Sequence, residues 1–214
     1  ARAMKTMGLD DLRLVAPRVF PHAEATARAT GAVDVLERAR VHANLAEALE
    51  GCVLAVATSG RHREFRHEMM DAREAARAAV AVATQPVAFV FGNETAGLTA
   101  DEAADCRIWA AIPSNESFGS LNLAAAVQVF AYELRMACGE TTPAPPPEFA
   151  AATLEQVDQL AVHFLERMTA SGYFDPAQPG HLAVRLRRLL GRARLEVEEI
   201  KILRGFLRSL ERRR

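Results

Sequence analysis

Between Leu12 and Ile112 the chain alternates short, nearly uninterrupted apolar runs with alanine-rich amphipathic stretches, and few architectures accommodate that rhythm. The runs Leu12–Ala16, Val53–Thr58, Val87–Phe91 and Ile108–Ile112 are too short for helices and read as strands. Between them, Ala23–Gly31, Leu45–Glu50, Asp71–Val82 and Ala100–Cys106 have helix-forming composition, with Gly31 and Gly51 as stops. Strands apolar on both faces and separated by helices belong in a parallel sheet covered by a helical layer on each side. The pattern therefore predicts an α/β fold on a parallel sheet.

A longer helix is expected over Ser120–Ala137, with Leu123, Val127, Phe130 or Ala131, and Leu134 near three-to-four spacing. Pro143, Pro145, Pro146 and Pro147 follow within Gly139–Glu148. Proline lacks an amide hydrogen and fixes φ, so this density forbids a continuing helix and favours an extended connector. The expected division is residues 1–139 as the α/β domain, 140–149 as a proline-rich linker and 150–214 as a small all-α extension. Within the extension, Thr153–Ala170, His181–Leu190 and Leu195–Leu210 read as helices. At the other end, Ala1–Gly8 reads as the closing turns of a helix stopping at Gly8, so an N-terminal strand and turn are expected to be missing ahead of it.

Half the residues are apolar, a quarter are charged and the net charge is −1, which fits a folded chain and not a disordered one. Any attraction to nucleic acid must then be local. Arg185, Arg187, Arg188, Arg192, Arg194 and Arg204 concentrate in the extension, together with Lys201, Arg208 and Arg212–Arg214. Two readings stay open for them, a solvated helix face or a patch that contacts phosphates. The three cysteines, Cys52, Cys106 and Cys138, are far apart and form no CxxC, which argues against a disulfide framework and a zinc site. His62 and His67 lack accompanying ligands, so no metal is expected. No apolar run approaches a membrane span and no signal-peptide pattern opens the chain, which makes a cytoplasmic location the expectation.

Two loops carry the polar residues that chemistry would need, each just past the end of a predicted strand, where open α/β sheets bind ligands. The first is Phe91–Leu98, in which Gly92 and Gly97 allow close backbone approach and Glu94 offers a carboxylate. It is either a ligand loop or an ordinary strand-to-helix turn. The second runs from Ile112 to Leu123 and includes Gly119, Ser120, Leu121 and Asn122. Ser120 and Asn122 are either helix caps or groups that grip a polar ligand. Neither loop is a dinucleotide, P-loop or nucleophile-elbow motif.

Taken in order and spacing, Ala1–Leu9, Phe91–Leu98 and Ile112–Ala126 resemble the three signature motifs of the SpoU/TrmH methyltransferases of the SPOUT class. Of the first motif, usually Asn-x-Gly-x-x-x-Arg-Ala, the chain keeps Arg2-Ala3. The likeness continues through Val53–Arg61, and Leu186–Arg214 is similar to the C-terminal extension of the tRNA-modifying branch of that family. The resemblance implies a parallel sheet whose C-terminal segment threads a trefoil knot, an exception to the rule that chains do not knot. It further implies a homodimer that takes S-adenosyl-L-methionine and transfers its methyl group to a ribose 2′-hydroxyl of tRNA, in the anticodon loop and at nucleotide 32, C or U. Thr58, Ser59, Gly60, Gly92, Ile112, Gly119, Ser120 and Leu121 would hold the cofactor, and Arg2, Glu94, Ser120 and Asn122 would form the catalytic set. Arg2 would act either as a transiently neutral base or, more in keeping with a guanidinium that stays charged, as a cation stabilising the developing alkoxide.

Three rival readings are open, the least favoured being a structural or interaction protein held together by the C-terminal helices. Of the other two, one keeps the fold and methylates ribosomal RNA instead. The second is an RNA-binding module without catalysis, made possible by the absent Asn and Gly of the first motif.

Overall fold

A computed structural model describes residues 1–59, 69–115, 119, 121–140 and 150–211. After helix α1 (Arg2–Thr6), strand β1 (Arg13–Val15), helices α2 (Ala23–Arg28) and α3 (Val33–Glu37), strand β2 (Arg40–His42) and helix α4 (Leu45–Ala48) lead into the sheet that organises the molecule. That sheet comprises β3 (Leu54–Thr58), β4 (Met69–Asp71), β5 (Val87–Val90) and β6 (Ile108–Ala111), with α5 (Ala72–Ala81) and α6 (Ala100–Ala104) between strands. Its order is β4-β6-β3-β5 and every pairing is parallel, as the apolar runs predict.

Alternation along β3 explains why its sequence is apolar throughout. Leu54 and Val56 face α5 and α7 (Leu123–Glu140), in a cluster with Ala75, Ala79 and Phe130. Ala55 and Ala57 face the other way, against Leu45, Leu49, Ala103 and Trp109. Both faces are covered, and Leu54, Ala55, Val56 and Ala57 are all buried. The edge strand β5 is only half-buried. On α5 the buried residues are Ala72, Ala75, Ala76 and Ala79, a one-sided small stripe that lets the helix lie close to the sheet. Asp71 and Glu74 form a capping box at its start, satisfying two amides that the first turn leaves unpaired.

Two features differ from the expectation. The first predicted strand does not join the main sheet: β1 pairs in parallel with β2, Arg13 opposite Arg40, in a separate ribbon. Sequence also gives no sign of β2 and β4, because Arg40-Val41-His42 and Met69-Met70-Asp71 are too short to show a strand period. The chain's opening does end where expected, with Gly8 at φ +83° after α1, a left-handed conformation natural to glycine.

Most of the proline-rich segment lies outside the described residues. Beyond it α8 (Leu154–Ala170), α9 (Leu182–Arg192) and α10 (Val197–Glu211) pack around Leu160, Leu186, Leu190, Ile200 and Leu207. The extension is tied to the sheet at its start: the Leu154 amide donates to the Cys52 carbonyl (2.9 Å), and the Leu154 side chain packs beside Leu45 and Leu49.

Candidate cofactor and substrate site

A cavity of about 900 Å³ opens at the carboxyl end of the main sheet. Three loops meet there. One follows β3 and contributes Thr58 and Ser59, the next follows β5 and contributes Phe91–Leu98, and the last follows β6 and contributes Ile112–Asn115, Gly119 and Leu121. Convergence of this kind follows from parallel strands that all end on one side. The loop bases are fixed by hydrogen bonds between neighbouring strands. The Thr58 hydroxyl donates to the Val90 carbonyl (2.9 Å), and the Ser59 amide donates to the Ala110 carbonyl (3.0 Å).

The middle loop is tightly folded on itself. Asn93 Oδ1 accepts from the Thr95 and Ala96 amides (3.1 and 2.7 Å), and its carbonyl accepts from the Gly97 amide (2.9 Å). These bonds bring Gly97 and Leu98 over Gly92 so closely that a Cβ on Gly92 would sit 2.1 Å from the Gly97 carbonyl carbon. Glu94 is exposed at the cavity wall. In the last loop the Ser114 hydroxyl donates to the Gly119 carbonyl (3.1 Å), drawing Gly119 towards Asn115 and leaving little room for a side chain there.

Of the residues expected to hold a cofactor, Thr58, Ser59, Gly92, Ile112, Gly119 and Leu121 all line this cavity. Gly60 and Ser120 lie outside the described residues. Of the expected catalytic set, Glu94 lines the cavity, whereas Asn122 and Arg2 are not among its lining residues. Asn122 caps α7, its Oδ1 accepting from the Ala124 amide (2.9 Å). Arg2 begins α1, which packs against α7 and is held by a Lys5–Asp34 ion pair (2.7 Å) and a hydrogen bond from Arg135 to the Met7 carbonyl (3.3 Å). Sequence reasoning missed Met69, Met70 and Asp71 as cavity residues along with the strand that carries them. The Asp71-x-x-Glu74 capping box was the one signal that a turn preceded α5.

The arginines of the extension fall into separate groups. Arg185, Arg188 and Arg192 recur at helical spacing along one exposed side of α9. Arg187 instead pairs with Asp158 of α8 (2.7 Å), and Arg204 reaches Gln159 (3.5 Å). Arg194 lies near Arg107, whose charge is disfavoured by burial first and by Arg194 second. Among the described residues no cluster of His, Cys, Asp or Glu is placed to hold a metal ion, and no helix is long and apolar enough to cross a membrane. The Cys106 thiol is pushed up to about 12, mainly by burial, and so has no nucleophilic character near neutral pH.

Comparison with known proteins is consistent with this geometry. Residues 1–132 match the SpoU rRNA Methylase family, and residues 155–214 match the C-terminal domain of the tRNA methyltransferase TrmJ. A tRNA (cytidine/uridine/adenosine-2′-O-)-methyltransferase TrmJ of Pseudomonas aeruginosa is 45% identical over 99% of this chain and 87% of its own. A tRNA (cytidine/uridine-2′-O-)-methyltransferase TrmJ of Cronobacter sakazakii is 46% identical over 99% of this chain and 89% of its own. The crystal structure of TrmJ from Z. mobilis ZM4 superposes with a TM-score of 0.85 at 36% identity, covering 99% of this chain and 91% of that one.

Proposed function

We propose, since this chain belongs to the SpoU methylase family and carries the TrmJ C-terminal domain, that it methylates a ribose 2′-hydroxyl of tRNA, in the anticodon loop at nucleotide 32, C or U. The observation that carries the reading is the meeting of the three motif loops around one cavity at the carboxyl end of the sheet. S-adenosyl-L-methionine fits there. The volume is within the range of small-molecule sites, Gly92 lets the Phe91–Leu98 loop fold tightly at the cavity wall, and Leu98, Ile112 and Leu121 supply apolar surface for a ring. When bound, it supplies an electrophilic methyl group.

The remaining work falls to the chain's own residues. The loop amides and carbonyls orient the cofactor, and Ile112 and Leu121 shield the reaction from water. Glu94 holds the substrate ribose at the cavity wall, while Asn122 fixes the start of α7 and with it the adjoining Gly119–Leu121 segment, where Ser120 completes the polar set. As the 2′ oxygen takes the methyl group, its proton is lost to solvent at the cavity mouth, and the guanidinium of Arg2 stabilises the negative charge that grows on that oxygen and the neighbouring phosphate. Arg2 is not among the residues lining the cavity of its own chain, which supports a homodimer in which a partner's α1 completes the site. The exposed Tyr132 and Met136 of α7, the helix against which α1 packs, support the same arrangement. The division at residues 139 and 149, the knot, a cytoplasmic location and tRNA contact by Arg185, Arg188 and Arg192 belong to this proposal. Arg187, Arg194 and Arg204 contribute to the same positive field.

Mass spectrometry of nucleosides from tRNA incubated with the purified chain and S-adenosyl-L-methionine tests the reading. A new 2′-O-methylated pyrimidine at nucleotide 32 is expected, and methylation confined to ribosomal RNA would overturn it. Mixing inactive Arg2→Ala subunits with inactive Gly92→Ala subunits should restore part of the activity, because some mixed dimers then contain one intact shared site. No recovery would sink the shared-site part alone.

A further inference from the structure

The strand that sequence reasoning missed brings a carboxylate to the cavity. Met69, Met70 and Asp71, the whole of β4, line it, and β4 lies beside β6 with Asp71 opposite Ala111, the residue before Ile112. Asp71 is held in place rather than free to swing. Its Oδ1 accepts from the Glu74 amide (2.8 Å) and its own amide donates to Glu74 Oε2 (3.0 Å). Its second oxygen accepts from no described residue. Glu94 is the other carboxylate at the wall, and it is exposed, whereas Asp71 is half-buried. No Lys, Arg or His stands among the described residues that line the cavity. The described wall therefore carries negative charge with no positive charge to answer it.

We propose that Asp71 lets the cavity tell the methyl donor from the spent product by charge, retaining S-adenosyl-L-methionine and letting S-adenosylhomocysteine go; this rests on the cofactor assignment proposed for the cavity. The two molecules differ by one methyl group and one positive charge. On transfer the methyl carbon leaves sulfur for the 2′ oxygen, the electron pair of the broken bond stays on sulfur as a neutral thioether, and the hydroxyl proton goes to solvent. Adenine, ribose and the amino-acid end, with its ammonium and carboxylate, are common to both. Contacts to those parts hold donor and product alike, so they do nothing to favour exchange of one for the other. A fixed negative charge does. Its attraction for a cation extends over about the screening length, roughly 8 Å at physiological salt, so Asp71 acts without touching sulfur. The effect is strongest where water is partly excluded, which favours half-buried Asp71 over exposed Glu94 as its source.

Asp71→Asn in the full chain tests this, because asparagine is an equally good helix cap and keeps the oxygen that accepts from Glu74. Calorimetric titration of parent and variant with S-adenosyl-L-methionine and with S-adenosylhomocysteine reads the ratio of the two affinities. The variant should bind the donor about tenfold more weakly and the product within about twofold of the parent, as expected for loss of one charge from a partly screened site. Added salt should narrow the parent's preference for the donor and leave the variant's ratio unmoved. An Asp71→Asn ratio equal to the parent's, or a parent ratio indifferent to salt, would overturn the inference and leave Asp71 as a helix cap. Equal weakening of both ligands would overturn it too, assigning the carboxylate to the shared ammonium. A parent that binds neither compound would remove the cofactor assignment itself, and this inference with it; the parent titrations alone distinguish that failure from the others.

Discussion

Gly92 shows how one residue sets the shape of the cavity. Asn93 closes the loop by accepting two amides with its side chain and a third with its carbonyl, and the returning Gly97–Leu98 segment lands directly on Gly92. A methyl group there overlaps backbone atoms at 2.1–2.5 Å, and backbone cannot swing aside as a side-chain tip can. Gly92→Ala should therefore open the loop, costing about 1–3 kcal/mol of stability by over-packing. Calorimetric titration with S-adenosylhomocysteine should show at least a tenfold loss of affinity, and an unchanged affinity would mean the loop does not shape the cofactor site. In the sequence, Gly92 was identifiable as a glycine after a strand. Its close contact with Gly97 and Leu98 depends on the side chain of Asn93, which no period reveals.

At the scale of elements, α5 is defined by alanines. Ala75 and Ala76 are fully buried, Ala75 in the cluster that joins α5 to the sheet and α7, and a large side chain at either position would push α5 away from its neighbours. Ala76→Leu should lower stability by roughly 1–3 kcal/mol, since inserted volume forces the packed layers apart. Thermal denaturation should show a fall of several degrees, while Ala81→Leu, at the exposed end of the same helix, should change little. The α5 segment was legible because a sided alanine pattern and a capping box coincide. The buried strands were legible for a similar reason, Val53–Thr58 and Ile108–Ile112 being apolar on both faces. What stayed hidden depends on partners distant in sequence. Arg40-Val41-His42 becomes a strand only because Arg13-Leu14-Val15 lies beside it, and Met69-Met70-Asp71 only because β6 does. Arg2 illustrates the same limit, since its motif singles out the residue while the fold leaves it out of the lining of its own chain's cavity.

Across the whole molecule, the helical extension is joined to the α/β half rather than merely strung from it. Leu154 reaches into the sheet's second core, and removal of everything after Pro147 would take a core side chain with it. The role of the extension is therefore better tested by single substitutions than by truncation. Asp105, at the end of α6, faces this junction. Its carboxyl is raised above the ordinary value by burial first and by the nearby Asp158 carboxylate second, with Arg187 opposing both. A raised folded-state value means that the folded chain holds the proton more tightly than the unfolded one. As pH rises through the ordinary carboxyl range towards the folded value, stability falls, and at neutral pH the whole of this cost is present, kept small because the side chain is exposed and solvent screens it. Asn carries no charge to desolvate and occupies nearly the same volume, so Asp105→Asn should stabilise the chain at pH 7. The advantage should shrink as the buffer is acidified into the range where the native carboxyl takes up its proton. Thermal melts of both chains across that range provide the measurement. A substitution that destabilises at pH 7 would show instead that attraction to Arg187 outweighs desolvation at the junction, and that the two halves are held together there by charge.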